Sequence, residues 1–226
     1  MAHLEWLLAE DVLLLVTEDE KGGTTTEHAD VVVAGALLAD LAEAGCLVET
    51  DKLVSVAPDA SVDGPPILVE ALDVLRQRDQ PVKAKKLLED LRKQLKPVSD
   101  RVAERLVELG VLELRKATFL KIPLGYKAPT LDPEPERALR TRLGDILVQG
   151  VTPSDRDAEL IALLRAADLI RHVVDKEHRK AAKQRAQEIE AQGPASPALK
   201  AVVDEVNDAL VMAIAAGSAA GVIGSS

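Results

Sequence analysis

A nearly continuous run of apolar residues at positions 31–48 is the strongest feature of the hydrophobic pattern. Asp40 and Glu43 are its only charged residues, so a helix here would be apolar on almost all sides and surrounded by other elements. Gly45 suits the left-handed residue that ends such a helix. We therefore predict a core helix that begins at Asp30 and ends near Gly45. A membrane span is not expected, because two carboxylates, small side chains and a following hairpin do not fit one.

Two short β-hairpins are predicted in this otherwise helical pattern. The first has strands at 47–49 and 53–56 around Asp51 and Lys52. The second has strands at 111–114 and 118–122, with residues 115–117 at the turn. Residues 41–47 and 106–112 resemble each other at an offset of 65, and each combines a helix end, a glycine and the start of a strand. The chain therefore uses one local arrangement twice.

The spacing of leucine, valine and isoleucine predicts helices over most of the remaining chain. Their ranges are 4–16, 66–78, 81–95, 99–109, 136–148, 152–174, 175–192 and 196–216. Ser99 is the predicted N-cap of its helix, and residues 152–155 are predicted to cap the helix that follows them. The sequence thus predicts a mostly α protein, a single compact helical domain at 1–216 with two short β-hairpins. The second hairpin, at about 111–124, is predicted to protrude, and residues 217–226 to form a flexible C-terminal tail.

Positive charge is concentrated in one part of an acidic chain. The net charge is −10, but residues 83–127 contain twelve basic and six acidic side chains, which leaves +6 there and −16 elsewhere. The single Phe (Phe119) and the single Tyr (Tyr126) also lie in this basic segment. Because the whole surface of an acidic protein does not attract phosphate, contact with an anionic partner is expected at this segment.

The sequence contains no recognisable catalytic or metal-binding pattern. The histidines, at 3, 28, 172 and 178, have no metal-ligand spacing, and Cys46 is expected to be an inert core thiol. A GxSxG elbow and a glycine-rich phosphate loop are both absent. We expect no enzymatic activity, no catalytic residue, no metal and no cofactor. The first residues lack a basic secretory n-region, so a cytoplasmic protein is expected.

The second hairpin combines features that suit contact with a membrane surface. Its large apolar residues are Phe119, Leu120, Ile122, Leu124 and Tyr126, and its basic residues are Arg115, Lys116, Lys121 and Lys127. A basic residue near an anionic bilayer contributes about 1 kcal/mol, and a large side chain buried in the interface contributes roughly 1.5–3 kcal/mol. Two alternatives stay open. The apolar residues could fold back onto the core while the lysines solvate an edge strand, or the hairpin could be an oligomer contact.

Winged-helix DNA binding is an alternative function, because a helix, a glycine and a hairpin are also the layout of that module. Positive charge in the second hairpin would suit phosphate contacts. However, the helix at 99–109, which would enter the major groove, has three acids against two bases. We therefore rank DNA binding below lipid binding and do not expect nucleic acid as a partner.

Five segments, in this order and spacing, resemble the Golgi phosphoprotein 3 family, specifically its bacterial members. They are LAEDVLLLVTEDEKG (8–22), AGALLADLAEAGCL (34–47), VAERLVELGVLE (102–113), PLGYKAPTLDPEPERALRTRL (123–143) and DRDAELIALLRAADLI (155–170). The resemblance implies a mostly α-helical domain with a protruding hairpin, no catalysis, and peripheral membrane attachment through phosphatidylinositol 4-phosphate. It also implies that eukaryotic relatives adapt glycosyltransferase tails to vesicle coats.

The lipid pocket implied by this resemblance is only partly present. The family uses a Trp and an Arg around the start of the central helix, and these positions match Thr25 and Ala34 here. Two further basic residues of the family match Lys96 and Ser99, with Arg101 nearby as a substitute. The resemblance therefore supports generic binding of anionic lipid more than recognition of one phosphoinositide.

These observations together predict a non-enzymatic protein that is cytoplasmic, peripherally membrane-associated and bound to anionic membrane lipid. The predicted headgroup contacts are Lys96, Arg101 and Arg115, and the predicted membrane-inserting residues are Phe119, Leu120, Ile122 and Tyr126. A homo-oligomer formed through the second hairpin is the alternative for that surface. The sequence names no client protein.

Overall fold

The computed structural model describes residues 6–18, 22–26, 28–95, 97–113, 115–119, 122–192 and 197–220, with the backbone alone at 115–119, 122–127 and 209–220. Its helices are α1 (Leu8–Val16), α2 (Ala29–Glu43), α3 (Pro66–Arg76), α4 (Ala84–Gln94), α5 (Val98–Glu108), α6 (Glu134–Leu147), α7 (Asp155–Ala166), α8 (Arg179–Ala191) and α9 (Pro197–Ala220). Its strands are β1 (Leu47–Thr50), β2 (Leu53–Val56), β3 (Arg115–Phe119) and β4 (Ile122–Lys127). They form two antiparallel hairpins, β1–β2 and β3–β4. The predicted mostly α fold is confirmed.

Helix α2 lies at the centre of the structure, as its apolar sequence predicts. Every residue of α2 except Asp30 and Glu43 is buried. The helix packs against α1, α3, α4, α5, α7 and α9. Gly35 permits a close approach to α9, because a Cβ at this position would stand 2.2 Å from Cγ2 of Val206. The absence of a side chain at Gly35 therefore sets the distance between α2 and α9.

The two similar segments, 41–47 and 106–112, end their helices in the same way. Gly45 has a φ of +71° and Gly110 has a φ of +74°. In each segment the N–H that follows the glycine donates to the carbonyl five residues earlier, at 2.9 Å. This is the Schellman arrangement, in which a left-handed residue lets the chain return over the last carbonyls of the helix. The predicted repetition is confirmed.

The first hairpin also agrees with the prediction. β1 and β2 are antiparallel, with Thr50 paired to Leu53 across a two-residue connection. Asp51 has a φ of +54° and Lys52 has a φ of +64°. Positive φ at both central residues is the conformation of the tight turn whose twist matches that of two paired strands.

The second hairpin is longer than predicted, and its turn lies elsewhere. Its Cα partners are Arg115 with Lys127, Lys116 with Tyr126, Thr118 with Pro123, and Phe119 with Ile122. The predicted turn at residues 115–117 is therefore wrong, because these residues lie in β3. An isolated bridge between Leu112 and Thr130 has the same register, so pairing begins at the base of the hairpin. The strands are separated by residues 120–121, which lie outside the described residues.

Helix α7 ends earlier than predicted. Ser154 caps its start by accepting a hydrogen bond from the backbone, as expected for residues 152–155. Its last residue is Ala166, because the chain then turns through Asp168, which has a φ of +53°. The turn allows Leu169 to reach the core, where it is 1 % exposed. The predicted continuation of this helix to residue 174 is wrong.

Helix α9 runs from Pro197 to Ala220. The predicted helix end at residue 216 is therefore too early, and residues 217–220 of the predicted tail are helical. Residues 221–226 lie outside the described part of the chain.

Candidate functional site

The first turns of α2 and α5 meet at the carboxylate of Asp30. Oδ1 of Asp30 accepts hydrogen bonds from the backbone N–H of Ser99 at 3.2 Å and from its hydroxyl at 3.5 Å. Oδ2 lies 3.1 Å from Nε of Arg92, near the end of α4. The prediction that Ser99 is the N-cap of α5 is wrong, because Pro97 holds that position and has no polar side-chain atom. The first backbone N–H groups of α5 need an acceptor, and Asp30 of α2 supplies one to Ser99 where the N-cap residue cannot.

Acids from other parts of the chain neutralise much of the charge in the basic segment. Three arginines of α4 and α5 are ion-paired with carboxylates outside residues 83–127. The pairs are Arg92 with Asp30 at 3.1 Å, Arg101 with Glu70 at 2.9 Å, and Arg105 with Glu10 at 2.6 Å. Arg101 also lies 3.3 Å from Glu104. The local charge excess is therefore smaller in the folded protein than the sequence indicates.

Three lysines at α4 stay available to an anionic partner. Lys83, Lys85 and Lys93 are exposed, and each lacks an ion pair with another described residue. Lys83 follows Val82, which pairs with Val54 of β2. The unpaired positive charge at α4 therefore begins next to the first hairpin.

Of the four positions matched to the lipid pocket, the three that the structure describes do not provide an anion site by themselves. Thr25 is exposed, and its backbone N–H donates to Val16. Ala34 is fully buried inside α2 and offers neither a polar side chain nor exposed surface. Ser99 is already bonded to Asp30. An anion at this junction would have to replace the carboxylate of Asp30.

A second carboxyl group makes the junction still less favourable for anions. The pKa of Asp100 is raised by burial, and then by the nearby charges of Asp30 and Glu104. An added negative charge would raise the energy of these carboxylates further. The described part of the junction is therefore built for an internal ion pair.

The β3–β4 hairpin is attached to the helical body at its base. The N–H of Ala128 donates to the carbonyl of Gly22 at 3.1 Å, and the N–H of Glu113 donates to that of Pro129 at 2.9 Å. Gly22 has a φ of +61°, and a Cβ there would stand 2.3 Å from the backbone nitrogen of Pro129. Glycine is therefore required where the segment after α1 meets the hairpin. Beyond this base β3 and β4 contact mainly each other, as expected of a protruding element.

Most residues predicted to contact lipid lie on this hairpin. Lys96 and Leu120 fall outside the described residues, and Arg115, Phe119, Ile122 and Tyr126 are described as backbone of β3 and β4. The register places Phe119 opposite Ile122, next to the connection and farthest from the base. Among the predicted headgroup contacts, Arg101 has a described side chain, and that side chain is held by Glu70 and Glu104.

Buried carboxylates at the start of α1 have structural partners. Asp40 of α2 is fully buried and accepts hydrogen bonds from the N–H groups of Leu8 at 2.7 Å and Ala9 at 3.1 Å. Glu10 is also fully buried and accepts from the N–H of Leu7 at 2.7 Å. Burial raises the pKa of both carboxyl groups. Because backbone N–H groups at a helix start hold them, their role is to cap α1.

The described residues contain no group of three or more His, Cys, Asp and Glu side chains that could hold a metal ion. Cys46 is buried, and burial raises the pKa of its thiol. The thiol is therefore protonated at neutral pH, and the thiolate is the reactive form. Burial also lowers the pKa of His172, and the charge of Arg171 lowers it further.

Comparison with known families covers nearly every element described above. The family model for Golgi phosphoprotein 3 (GPP34) matches residues 8–206. The protein belongs to the Golgi phosphoprotein 3 family. The match begins at the first residue of α1 and ends within α9. None of the curated proteins compared with the chain matches it.

In this Golgi phosphoprotein 3 family member, the described residues include no helix that is both long enough and apolar enough to cross a membrane.

Sequence reasoning missed Asp30 and Arg92 as members of the α2–α5 junction. Asp30 and Ser99 are 69 positions apart, so no local spacing connects them. The one available signal was a carboxylate at the start of a helix that is otherwise almost wholly apolar.

Proposed function

We propose that this Golgi phosphoprotein 3 family member is a cytoplasmic, non-enzymatic peripheral membrane protein that binds anionic lipid headgroups through the β3–β4 hairpin. The attachment of that hairpin carries the proposal. It is joined to the helical body at its base, and its sequence combines four basic residues with the single Phe and the single Tyr of the chain. Membership of the family supports a phosphorylated lipid headgroup, of the phosphatidylinositol 4-phosphate class, as a ligand.

The geometry favours recognition of negative charge over recognition of one headgroup. Arg92 and Arg101 are occupied by Asp30 and Glu70, and Ala34 is buried. A specific phosphate pocket requires several donors that converge on one anion, with few competing carboxylates. Lysines near an anionic bilayer need no such convergence, since each contributes about 1 kcal/mol through the surface potential. Binding should therefore be reversible and should weaken as salt screens the charges.

The DNA-binding alternative gains no support from α5. Both arginines of this helix are ion-paired, Arg101 with Glu70 and Arg105 with Glu10. Phosphate contacts require cationic side chains that are free to displace counterions from the duplex. The lipid proposal is therefore retained alone.

Vesicle flotation of a hairpin double variant tests the proposal. The variant Phe119→Asp with Leu120→Asp adds two negative charges and removes two large apolar side chains. It should lose at least about tenfold in affinity for vesicles that contain phosphatidylserine, because both the electrostatic and the apolar contributions are removed. Its melting temperature should stay within about 3 °C of the parent, since the proposal assigns these side chains to the lipid contact and not to the core.

The matched control is Val69→Asp with Val151→Asp, outside both hairpins, where the parent side chains are 37 % and 51 % exposed. This control should float like the parent protein. Equal losses in the two double variants would show a general charge effect and contradict the proposal. A large fall in melting temperature of the β3–β4 variant would place its side chains in the core. A change in size-exclusion volume with unaltered flotation would instead identify an oligomer contact.

A further inference from the structure

A cavity between α7, α8 and α9 is separate from the proposed membrane contact. Its volume is about 680 Å³, which is within the range of about 300–1,000 Å³ typical of small-molecule sites. Ala158 and Ala162 of α7, Ile189 of α8 and Val203 of α9 form its apolar wall. The polar lining residues are Asp155, Glu159, Gln187, Glu190, Lys200 and Asp204. The cavity therefore combines an apolar wall with an acidic edge.

Glu159 is the unusual residue of this lining. It is 4 % exposed, and its Oε2 has no hydrogen-bond partner among the described residues. Burial raises the pKa of its carboxyl group to about 7, and the nearby charge of Glu43 adds to the effect. A buried carboxylate oxygen without a partner is costly, and in native proteins such groups are satisfied by another residue, an ordered water or a bound ion. Glu159 is therefore the position in this cavity at which a donor from a ligand would be most stabilising.

The other charges of the cavity leave this carboxylate available. Asp204 is paired with Lys200 at 2.9 Å, and Glu190 is paired with Arg165. Asp155, one helical turn before Glu159, has no ion pair with another described residue. The unbalanced charge at this end of the cavity is therefore negative. A ligand that balances it must carry positive charge and have an apolar part to cover the alanine and valine wall.

We propose that the cavity binds a primary ammonium group on a short aliphatic chain, with the ammonium donating to the carboxylate of Glu159 and the chain lying against Ala158, Ala162 and Val203. An ammonium is a compact donor of three hydrogen bonds, so it can satisfy Glu159 and still reach Asp155. A free diamine and a lysine side chain share this chemistry. The proposal does not depend on lipid binding by the hairpin.

Calorimetric titration at pH 8 with 1,5-diaminopentane and with Nα-acetyl-lysine methylamide tests the proposal and distinguishes the two sources. At least one of the two amines should bind saturably, while 1-pentanol and pentanoate should not. Glu159→Gln should weaken the affinity for the amine by about tenfold to hundredfold, because it removes a charge-assisted hydrogen bond while keeping the shape of the side chain. The control Glu188→Gln, at an exposed residue of α8 outside the cavity lining, should bind like the parent.

Amine binding should also be tighter at pH 8 than at pH 6, because Glu159 must lose its proton to accept from an ammonium. Glu43 of α2 and Asp155 and Arg156 of α7 act electrostatically on this carboxyl, and Glu190 of α8 and Lys200 and Asp204 of α9 line the same cavity. In Glu159→Gln the affinity for the amine should no longer depend on pH. Ala158→Leu should bind the amine more weakly but with the same pH dependence as the parent. The proposal would be overturned if the parent and Glu159→Gln bound the amine with equal affinity, or if 1-pentanol bound as tightly as the amine. It would also be overturned if neither amine bound saturably below about 10 mM.

Discussion

Buried carboxylates in this protein differ in whether they have partners. Asp40 is fully buried, but two backbone N–H groups of α1 donate to it. Oε2 of Glu159 has no partner among the described residues. Each carboxyl group has its pKa raised by burial. The bonded group contributes to the fold, whereas the unbonded one lowers the stability of the folded state when it is ionised.

The dependence of stability on pH follows from Glu159. Between about pH 4.5 and pH 7 the folded state keeps a proton on this carboxyl that the unfolded state has lost, so the free energy of unfolding falls as pH rises through that window. Glu159→Gln has no such proton. The stability of this variant relative to the parent should therefore increase by roughly 2–3 kcal/mol between pH 5 and pH 8. Urea unfolding at several pH values measures the difference, and a difference independent of pH would contradict the assignment.

Sequence patterns could not identify these roles. Asp40 and Asp30, both in α2, accept hydrogen bonds from the first turns of α1 and α5, over separations of 31, 32 and 69 residues. Helix caps are recognised in sequence by residues within one turn of the helix start. A carboxylate that caps another helix depends on tertiary packing, so it resembles any charged residue in an apolar run. The prediction that Ser99 caps α5 fails for this reason, because Ser99 is close to the helix start in sequence whereas the acceptor comes from Asp30.

The distance between α2 and α9 is set by the contact of Gly35 with Val206. A Cβ at Gly35 would stand 2.2 Å from Cγ2 of Val206. Gly35→Ala should therefore destabilise the protein by about 1–3 kcal/mol, although alanine favours a helix by up to about 1 kcal/mol. Adding Val206→Ala removes the obstructing methyl groups. The double variant should be more stable than the sum of the single changes predicts, with a coupling of about 0.5–3 kcal/mol by chemical denaturation.

Gly144→Ala in α6 is the matched control, because a Cβ there would meet no atom within 4 Å. It should stabilise the protein by about 0.5–1 kcal/mol through helix propensity alone. If Gly35→Ala were as stable as this control, α9 would be able to move away from α2 without a loss of folding free energy, which would contradict the prediction.

At the scale of elements, the order of the helices and the first hairpin could be predicted, but the end of α7 and the turn of the second hairpin could not. The spacing of apolar residues continues past Ala166, yet Asp168 adopts positive φ and Leu169 becomes buried beyond the helix end. The turn of the second hairpin was misplaced because the register begins at Leu112 and Thr130, near the contact of Gly22 with the base. Both features depend on contacts between residues that are distant in sequence.

For the whole molecule, folding changes how charge is distributed. The sequence concentrates positive charge at residues 83–127, but Asp30, Glu70 and Glu10 pair with three of its arginines. Lysines at α4 are left exposed, and Arg115, Lys116 and Lys127 of the hairpin lie in β3 and β4. The proposed membrane binding should therefore depend on the total charge of the lipid surface, because no described cluster of free arginines selects one headgroup.

Flotation with vesicles of matched surface charge tests this claim most directly. Three compositions are compared: neutral phosphatidylcholine, phosphatidylcholine with phosphatidylserine, and phosphatidylcholine with phosphatidylinositol 4-phosphate at the same zeta potential. We predict no binding to neutral vesicles, and affinities for the two anionic vesicles that agree within about threefold. Both interactions should weaken strongly between about 50 and 500 mM salt. Binding to neutral vesicles, or to phosphatidylinositol 4-phosphate vesicles alone, would contradict it.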